Sequence, residues 1–418
     1  MYALFDRAID HVVKSGSLLV IDAKGGAHSY GDGTGEPISI RFTDRWAAAK
    51  IALDADRYLG EAYMRGDMVM ERGTVYDLLA ILLSNLEGRT APGAVRFFNH
   101  VRIAMRRINQ FNSMGRSKRN VAHHYDLSGA IYDLFLDRDR QYSCAYFEKP
   151  ESSLEDAQLA KKRHLAAKLA IKPGMKVLDI GSGWGGLGLY LAETCGAEVV
   201  GVTLSNEQHK LSNERAQQRG VSERVDFRLL DYRHLNEKFD RIVSVGMFEH
   251  VGVGHYNQFF SKCRQLLKDD GIGVLHSINR SDGPGATSAW IAKYIFPGGY
   301  VPALSEVVTR IEQSGLYITD IEILRLHYAM TLREWANRFQ ANRERAKEIY
   351  DERFCRMWEF YLAAAETAFR FSGMNNFQIQ FTKNQHALPI TRNYMISEDE
   401  MLREVDSKRP RFKSVTAE

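Results

Sequence analysis

The stretch 177–186, which reads V-L-D-I-G-S-G-W-G-G, constrains the fold more than any other part of the chain. A short apolar run stands directly before a turn that contains four glycines, and apolar residues at helical spacing begin at Leu187. Glycine has no Cβ, so its backbone can approach a ligand closely, and the first turn of a helix offers unpaired N–H groups. The stretch therefore predicts a strand, a turn and a helix that together bind a flat, polar or anionic ligand.

Three further strand candidates follow at regular spacing, over residues 198–204, 225–230 and 239–245. The glycine turn satisfies the G-x-G-x-x-G pattern of dinucleotide-binding proteins, which expects an acidic side chain about 20 residues later to bind a ribose. The strand 198–204 instead runs into G-V-T-L-S, with no carboxylate at its end. This order of strand ends resembles the class I methyltransferases that bind S-adenosylmethionine. It predicts an α/β, Rossmann-like fold with a doubly wound, mostly parallel sheet.

Composition restricts the classes of protein that fit. Apolar residues make up 44% of the 418 positions, and the net charge of +4 is too small to indicate nucleic acid as a partner. The four cysteines have neither metal-ligand spacing nor close pairing, so we expect reduced thiols and no metal site. The sequence has no signal-peptide pattern and no apolar run of about 18 residues. These features predict a cytoplasmic protein whose membrane contact is peripheral.

The first 88 residues are predicted to form a small α+β domain. Strand candidates at 17–22 and 38–42 flank a glycine-rich stretch, and residues 46–53 and 75–86 have helical patterns. Nothing in this region has a catalytic pattern. It is either a structural cap on the next domain or a module that docks on lipid, and the sequence leaves both open.

Residues 89–120 form a basic segment. Eight Lys and Arg residues occur here with no Asp or Glu between them, interleaved with apolar side chains such as Phe97, Phe98, Ile103 and Ile108. A basic amphipathic segment favours an anionic surface such as lipid headgroups. The alternative is a solvated linker helix that packs its apolar face on the next domain. Nucleic acid is not expected, because no aromatic base-stacking motif accompanies the charge.

Five motifs taken in order resemble the cyclopropane-fatty-acid-phospholipid synthase family, which includes the mycolic acid cyclopropane synthases. They are H-H-Y-D at 123–126, Q-Y-S-C-A-Y at 141–146, the glycine turn, G-V-T-L-S at 201–205 and V-G-M-F-E-H-V-G at 245–252. The resemblance covers 121–369. It implies a catalytic domain over 121–396 and a C-terminal tail over 397–418. An additional N-terminal domain is a feature of the family members that act on intact phospholipids.

The resemblance also implies a reaction. A cis double bond of a phospholipid acyl chain attacks the methyl group of S-adenosylmethionine, a carbocation forms on the chain, and bound bicarbonate removes a proton to close a cyclopropane ring. Membrane phospholipids with unsaturated chains are the implied partners, met at the inner face of the membrane, and a homodimer is left open. The alternatives are a methyl-branched or methylene product and, in another class, a lipid-binding protein without turnover.

Site residues carry over from the family motifs. The implied bicarbonate site consists of Cys144, Glu249, His276, Ile278 and Tyr328. The structural alternative for each is a core residue or, for Glu249, a helix N-terminal carboxylate. His276 is predicted to end a strand over 273–275, and Tyr328 to precede a helix starting near Leu332. The implied cofactor contacts are Tyr125, Tyr142, Ser143, Asp179, Gly181, Gly183, Thr203, Leu204, Gln208, Asp231 and Tyr232. Gln208 would replace the missing ribose carboxylate.

The last third of the chain departs from the family at one position. Many relatives have a cysteine where this chain has Ala365, and Cys355 lies too far away to replace it. Since an alkene attacks without a thiol nucleophile, the departure argues against a need for that cysteine. Large apolar residues from Trp290 to Phe369 predict a helical lid over an acyl tunnel, with plain core as the alternative. The chain from Ser397 onward is predicted to be a solvated end.

Overall fold

The structure is a computed structural model, which describes residues 2–86 and 129–408. The basic segment 89–120, Tyr125 and the last ten residues therefore lie outside the described residues. The strands are β1 Leu18–Ile21, β2 Ala27–Tyr30, β3 Ile38–Phe42, β4 Met68–Arg72, β5 Lys176–Ile180, β6 Glu198–Thr203, β7 Val225–Leu229, β8 Phe239–Val245, β9 Leu267–Arg280, β10 Tyr317–Ile323 and β11 Met374–Thr382. The helices are α1 Tyr2–Val12, α2 Ala47–Leu53, α3 Ala55–Arg65, α4 Val75–Leu86, α5 Gly129–Tyr132, α6 Leu154–Leu169, α7 Gly186–Thr194, α8 Asn206–Gln218, α9 Tyr256–Leu266, α10 Ala289–Tyr294, α11 Leu304–Gln313, α12 His327–Ala341, α13 Arg343–Ile349, α14 Glu352–Phe371 and α15 Asn393–Lys408.

The chain forms two compact units. The first combines the described N-terminal residues 2–86 with two later segments, Gly285–Pro297 and Leu332–Met374. Its four-stranded sheet has the order β2-β1-β3-β4, with β1 parallel to β3 and antiparallel to β2. The sequence predicted four elements of its N-terminal part, since β1, β3, α2 and α4 lie where the patterns placed them, but it did not predict α1, β2, α3 and β4.

The later segments join the first unit through large apolar side chains. The Trp290 indole donates to the Met64 sulfur at 3.2 Å, and Phe360 lies against the same helix, α3. Gly60 makes this packing fit, because a Cβ there would come within 2.5 Å of Trp290 and 2.6 Å of Phe360. Trp290 and Phe360 are thus part of the unit's core. The predicted boundaries of a single domain over 121–396 differ from this arrangement, since α10 and α14 bury their apolar faces against N-terminal helices.

The second unit contains the α/β fold that the glycine turn predicted. Its seven-stranded sheet has the order β10-β11-β9-β8-β5-β6-β7. The strands from β5 to β9 pair in parallel, and β10 runs antiparallel to β11. One face packs on α9 and α11 and the other on α6, α7 and α15, which confirms a doubly wound sheet.

The order in which strands are added to the sheet reverses at β5. After β5 the chain adds β6 and β7 on one side of the sheet, and it then returns to place β8 and β9 on the other side. In open α/β sheets such a switch point opens a crevice at the carboxyl ends of the strands, where ligands bind. Within the described part of the chain, no helix is long and apolar enough to cross a membrane.

The predicted solvated end is wrong up to Lys408. Helix α15 covers Asn393–Lys408, and Leu402 is buried in the core between α6 and the sheet. The buried guanidinium of Arg163 on α6 bonds Asp399 at 3.2 Å and Asp406 at 3.1 Å. The sequence pattern misled because α15 carries many charges, and one buried arginine satisfies two of them.

Two neighbouring substitutions test this packing. Leu402→Ala should lower the free energy of unfolding by about 2–3 kcal/mol, because it removes a buried side chain and leaves a cavity. The matched control Met401→Ala, at an exposed position on the same helix, should change it by no more than about 0.5 kcal/mol. Urea denaturation followed by circular dichroism measures both. Equal effects of the two variants would contradict the docking of α15.

Candidate active site

A cavity opens in the second unit at the carboxyl ends of β5, β6, β7 and β8. Ten of the predicted cofactor residues line it, namely Tyr142, Ser143, Asp179, Gly181, Gly183, Thr203, Leu204, Gln208, Asp231 and Tyr232. The eleventh, Tyr125, lies outside the described residues. The fold thus brings together side chains that are up to 90 positions apart in the sequence. That they contact a cofactor stays a prediction.

The glycine turn between β5 and α7 requires its glycines for two different reasons. Gly181 has a φ of 84°, and a Cβ there would come within 2.7 Å of the Met247 side chain. Gly183 has a φ of 54°, but a Cβ there would meet no atom within 4 Å. Gly181 therefore allows close packing inside the protein. Gly183 keeps a cavity wall free of side chain, where a ligand can approach the backbone.

Buried polar atoms of the cavity wall lack partners within the protein. Among the described residues, Asp179 Oδ2, Ser182 Oγ and Trp184 Nε1 make no hydrogen bond. Burial raises the pKa of Asp179 to about 7, although the charge of Lys161 acts against this. An unpaired buried polar atom is costly, so these atoms are available to a ligand that has both donors and acceptors. S-adenosylmethionine, with its amino, carboxylate, hydroxyl and adenine groups, fits that requirement.

Gln208, predicted to replace the missing ribose carboxylate, lines the cavity. Ser205 caps α8 by accepting the Gln208 N–H at 3.3 Å, which places the Gln208 side chain in the first turn. The Thr203 hydroxyl then donates to Gln208 Oε1 at 2.8 Å. Since that oxygen is engaged, the amide nitrogen remains to donate to a ligand hydroxyl. The arrangement is compatible with the predicted ribose contact.

Asp231 is already bound within the protein. Its carboxylate pairs with the Arg233 guanidinium at 2.6 Å and accepts the Arg233 backbone N–H at 3.0 Å. Burial acts to raise its pKa, but the hydrogen bonds and charge of Arg233 outweigh burial and lower it. Asp231 is therefore an oriented anion at the cavity edge.

The five predicted bicarbonate residues are all described, and none of them lines the cavity. Three are tied to it by neighbours: Cys144 follows Ser143, Glu249 precedes His250, and His276 pairs with Val245. Two are bonded to each other, because the Ile278 N–H donates to Glu249 Oε1 at 2.7 Å. The structure therefore joins Glu249 and Ile278 directly, while the loop after Cys144 is bonded to the first turn of α12, which contains Tyr328.

Glu249 has one oxygen engaged and one without a partner. Oε1 accepts from Ile278, while Oε2 is buried and makes no hydrogen bond to any described residue. Burial raises the pKa of this carboxyl group, and the hydrogen bond from Ile278 offsets only part of that effect. When protonated, Oε2 could donate to an anion, and when ionised it could stabilise a nearby cation.

His276 does not end its strand, contrary to the prediction. Strand β9 continues to Arg280. The prediction stopped early because the buried polar residues Ser277 and Asn279 interrupt the apolar pattern of the sequence. His276 Nδ1 lies 3.1 Å from the Gln378 amide nitrogen. Burial, reinforced by nearby cations, lowers the pKa of His276 to about 3, so the ring is neutral at physiological pH.

The loop that contains Cys144 is bonded to the first turn of α12, which contains Tyr328. The Ala145 N–H donates to the Thr331 hydroxyl at 3.0 Å, and the Phe147 N–H donates to His327 Nδ1 at 2.9 Å. Tyr328 belongs to this turn, so the helix begins five residues before the predicted start. Burial raises the pKa of the Cys144 thiol well above its usual range, which keeps it protonated.

Several lining residues were missed by the sequence reasoning. Arg140 and Gln141 precede Tyr142 in the same loop, and Met247 and His250 follow β8. Burial lowers the pKa of His250 to about 4, so this histidine is also neutral. All four lie within two positions of a residue that was predicted, and this proximity in sequence was the available signal.

A pair of glycine substitutions tests whether the open wall at Gly183 receives the cofactor. Gly183→Ala should weaken S-adenosylhomocysteine binding at least about tenfold, because the new methyl group occupies ligand space. Gly174→Ala is a matched control away from the cavity, because Gly174 has a φ of 78° and a Cβ there would also meet no atom within 4 Å. Both should lose about 1–2 kcal/mol of stability from backbone strain. Calorimetric titration that gives equal affinities for both variants would reject the assignment.

Comparison with known proteins agrees with this geometry. Residues 112–379 match the family model of mycolic acid cyclopropane synthetases. The chain is 40% identical to a probable fatty acid methyltransferase of Pseudomonas putida, over 66% of this chain and 73% of that protein. It is 37% identical to the cyclopropane-fatty-acyl-phospholipid synthase of Escherichia coli, over 85% of this chain and 91% of that protein.

A solved structure extends the comparison to the fold. The mycolic acid cyclopropane synthase CmaA1, crystallised with SAH and CTAB, aligns with a TM-score of 0.59 and 34% identity, over 63% of this chain and 97% of that chain. The family that the motifs predicted is thereby confirmed. The chain belongs to the mycolic acid cyclopropane synthetase family and is an S-adenosylmethionine-dependent methyltransferase.

Proposed function

We propose that this protein is a cyclopropane fatty acid synthase, which adds a methylene unit from S-adenosylmethionine across a cis double bond of phospholipid acyl chains. The observation that carries the proposal is the extent of similarity to the Escherichia coli cyclopropane-fatty-acyl-phospholipid synthase. The alignment with that enzyme covers 357 residues, whereas the family model matches only residues 112–379. The additional similarity falls outside that match, which favours a substrate shared with that enzyme.

The chemistry asks little of the protein as an acid or base. S-adenosylmethionine supplies an electrophilic methyl group, and an alkene attacks it without first losing a proton. The residues therefore need to orient the two molecules and exclude water. Protonated Cys144 and neutral His250 suit this task, because neither competes with the alkene as an anionic nucleophile.

One base is still needed to remove the proton when the ring closes. His276, with a pKa lowered to about 3, is too weak a base for this step. A bound bicarbonate ion in contact with Glu249 would supply the function, and the unpartnered Glu249 Oε2 is an atom that could hold it. The Ile278 N–H already donates to Glu249. Ile278 would therefore either orient the Glu249 carboxyl group toward the ion or divide its N–H between Glu249 and the ion.

The substrate requires contact with a bilayer. The basic segment 89–120 combines arginines with apolar anchors in its sequence, and this composition suits peripheral binding to the inner face of a membrane. Unsaturated phospholipids in that membrane are the proposed partners. A homodimer remains a hypothesis on which no contact of the described residues bears.

A second product is favoured by one comparison. The relative in Pseudomonas putida, 40% identical, is named a probable fatty acid methyltransferase. Methyl transfer followed by proton loss from the acyl chain itself would give a methyl-branched or methylene-bearing product. Both reactions use the same cofactor cavity, so the product must be measured.

Mass spectrometry of acyl chains separates the two products. Purified protein is incubated with methyl-labelled S-adenosylmethionine, bicarbonate and vesicles of a cis-monounsaturated phospholipid. We expect a gain of one CH₂ and loss of the double bond. The same gain with the alkene retained would identify the second product. Vesicles of saturated phospholipid are the negative control, and labelling of free fatty acid but not of vesicles would contradict a phospholipid substrate.

Glu249→Gln tests the role of the buried carboxyl group. The variant keeps an acceptor for the Ile278 N–H but cannot ionise beside a developing positive charge, so product formation should fall at least about 100-fold. Binding of S-adenosylhomocysteine should stay within about threefold, since Glu249 does not line the cavity. A large loss of that binding would instead move Glu249 into the cofactor site.

A further inference from the structure

Helix α6 buries two lysines on one face. Lys161 and Lys168 are seven residues apart, which is two turns of helix, and they are 0% and 1% exposed. Removing an ammonium group from water is costly unless an opposite charge or several good acceptors compensate it. The two lysines therefore need partners, and the partners differ in kind.

Lys168 is compensated by carboxylates. Its Nζ lies 2.6 Å from Glu322 and 3.4 Å from Asp320. Lys161 instead donates to Gln141 Oε1 at 2.7 Å and to the Ser143 hydroxyl at 2.8 Å, and both of these acceptors are neutral. No carboxylate of the described residues lies within 4.0 Å of Lys161 Nζ, and an ammonium group has a third N–H donor that these two bonds leave unused.

The acidic groups around Lys161 are bonded to other partners or are themselves buried. Asp139 is bonded at 2.6 Å by Lys162 and is also paired with Arg215. The buried Asp137 carboxylate accepts the backbone N–H groups of Asp139 at 3.0 Å and Gln141 at 2.8 Å, and burial raises the pKa of Asp179 to about 7. Among the described residues, Lys161 thus has only neutral hydrogen-bond partners, and both belong to the Gln141–Ser143 wall of the cavity.

We propose that Lys161 is the counter-charge for a small carboxylate-type anion that binds beside the loop of Gln141, Tyr142 and Ser143. A residue needed for packing alone would be apolar at a position with no exposure, whereas a cation without a carboxylate partner is stable there when a ligand brings the negative charge. Two anions of the reaction have this chemistry, the amino acid carboxylate of the cofactor and bicarbonate. The bicarbonate arm rests on the proposed function.

The test compares Lys161→Met with Lys168→Met. Each variant is titrated with S-adenosylhomocysteine and with methylthioadenosine, which lacks the amino acid carboxylate, and product formation is measured against bicarbonate concentration. Because Lys161→Met removes a charged hydrogen bond, it should lower the affinity for one of the two anions about 10- to 100-fold. A lower affinity for S-adenosylhomocysteine with an unchanged affinity for methylthioadenosine identifies the cofactor carboxylate as the anion that Lys161 binds. A raised half-saturating bicarbonate concentration with unchanged cofactor affinity identifies bicarbonate.

Lys168→Met is the control for structural damage, because it removes an equally buried ammonium group from the same helix. It should lower the urea midpoint without changing either anion affinity. The proposal is overturned if Lys161→Met changes neither the cofactor affinity nor the half-saturating bicarbonate concentration. It is also overturned if that variant lowers the affinity for methylthioadenosine as much as that for S-adenosylhomocysteine, or if Lys168→Met has the same effects on binding. The cofactor titrations do not depend on the identity of the lipid product.

Lys161→Gln keeps the inference testable if the Met variant folds poorly. Glutamine retains an N–H donor for Gln141 or Ser143 but carries no charge, so it should lose the same anion affinity as Lys161→Met. Wild-type affinity in this variant would mean that hydrogen bonding suffices, and it would overturn the proposal. If wild-type product formation does not depend on bicarbonate, the proposed base fails, and the cofactor titration alone decides the role of Lys161.

Discussion

The parallel pairing of β5 with both β6 and β8 is the constraint on which the site depends. Because parallel strands end at the same edge of a sheet, the residues that follow β5, β6 and β8 meet there although they are far apart in sequence. The contact between Gly181 and Met247 is the tightest expression of this, since a methyl group at Gly181 would push the β8 loop away. The register of three strands thus sets the distance between cavity walls.

Helix α6 contributes electrostatics as well as packing. It buries Lys161, Arg163 and Lys168, and each of these cations engages a different part of the unit. Arg163 binds α15, Lys168 binds β10, and Lys161 binds the loop that lines the cavity. Because a buried charge without partners is strongly destabilising, these contacts fix the positions of the segments relative to the helix.

Burial disfavours the charged forms of several titratable groups near the cavity. Burial lowers the pKa values of His250 and His276 and raises those of Cys144 and Glu249. An environment that disfavours charge suits a reaction in which a neutral alkene meets a cationic methyl donor, because competing nucleophiles and water are suppressed. It also leaves the protein short of a base, which supports the proposal of an external one.

The sequence by itself determined the fold class, the strand–glycine–helix turn and ten residues of the cavity wall, because these depend on local periodicity and on motifs at strand ends. It also supplied the family, which the comparisons confirmed. It did not reveal that β9 continues past His276, since a strand is held by pairing with its neighbours and tolerates buried polar residues such as Ser277.

Only the tertiary structure decided how the late segments are used. Trp290 and Phe360 belong to the core of the first unit because Gly60 leaves room for them, and α15 docks because Arg163 satisfies its acids. Lys161 looks like any helical lysine in the sequence. Its burial and its neutral partners come from contacts between α6 and a loop 20 residues away, and a pattern along the chain does not contain such contacts.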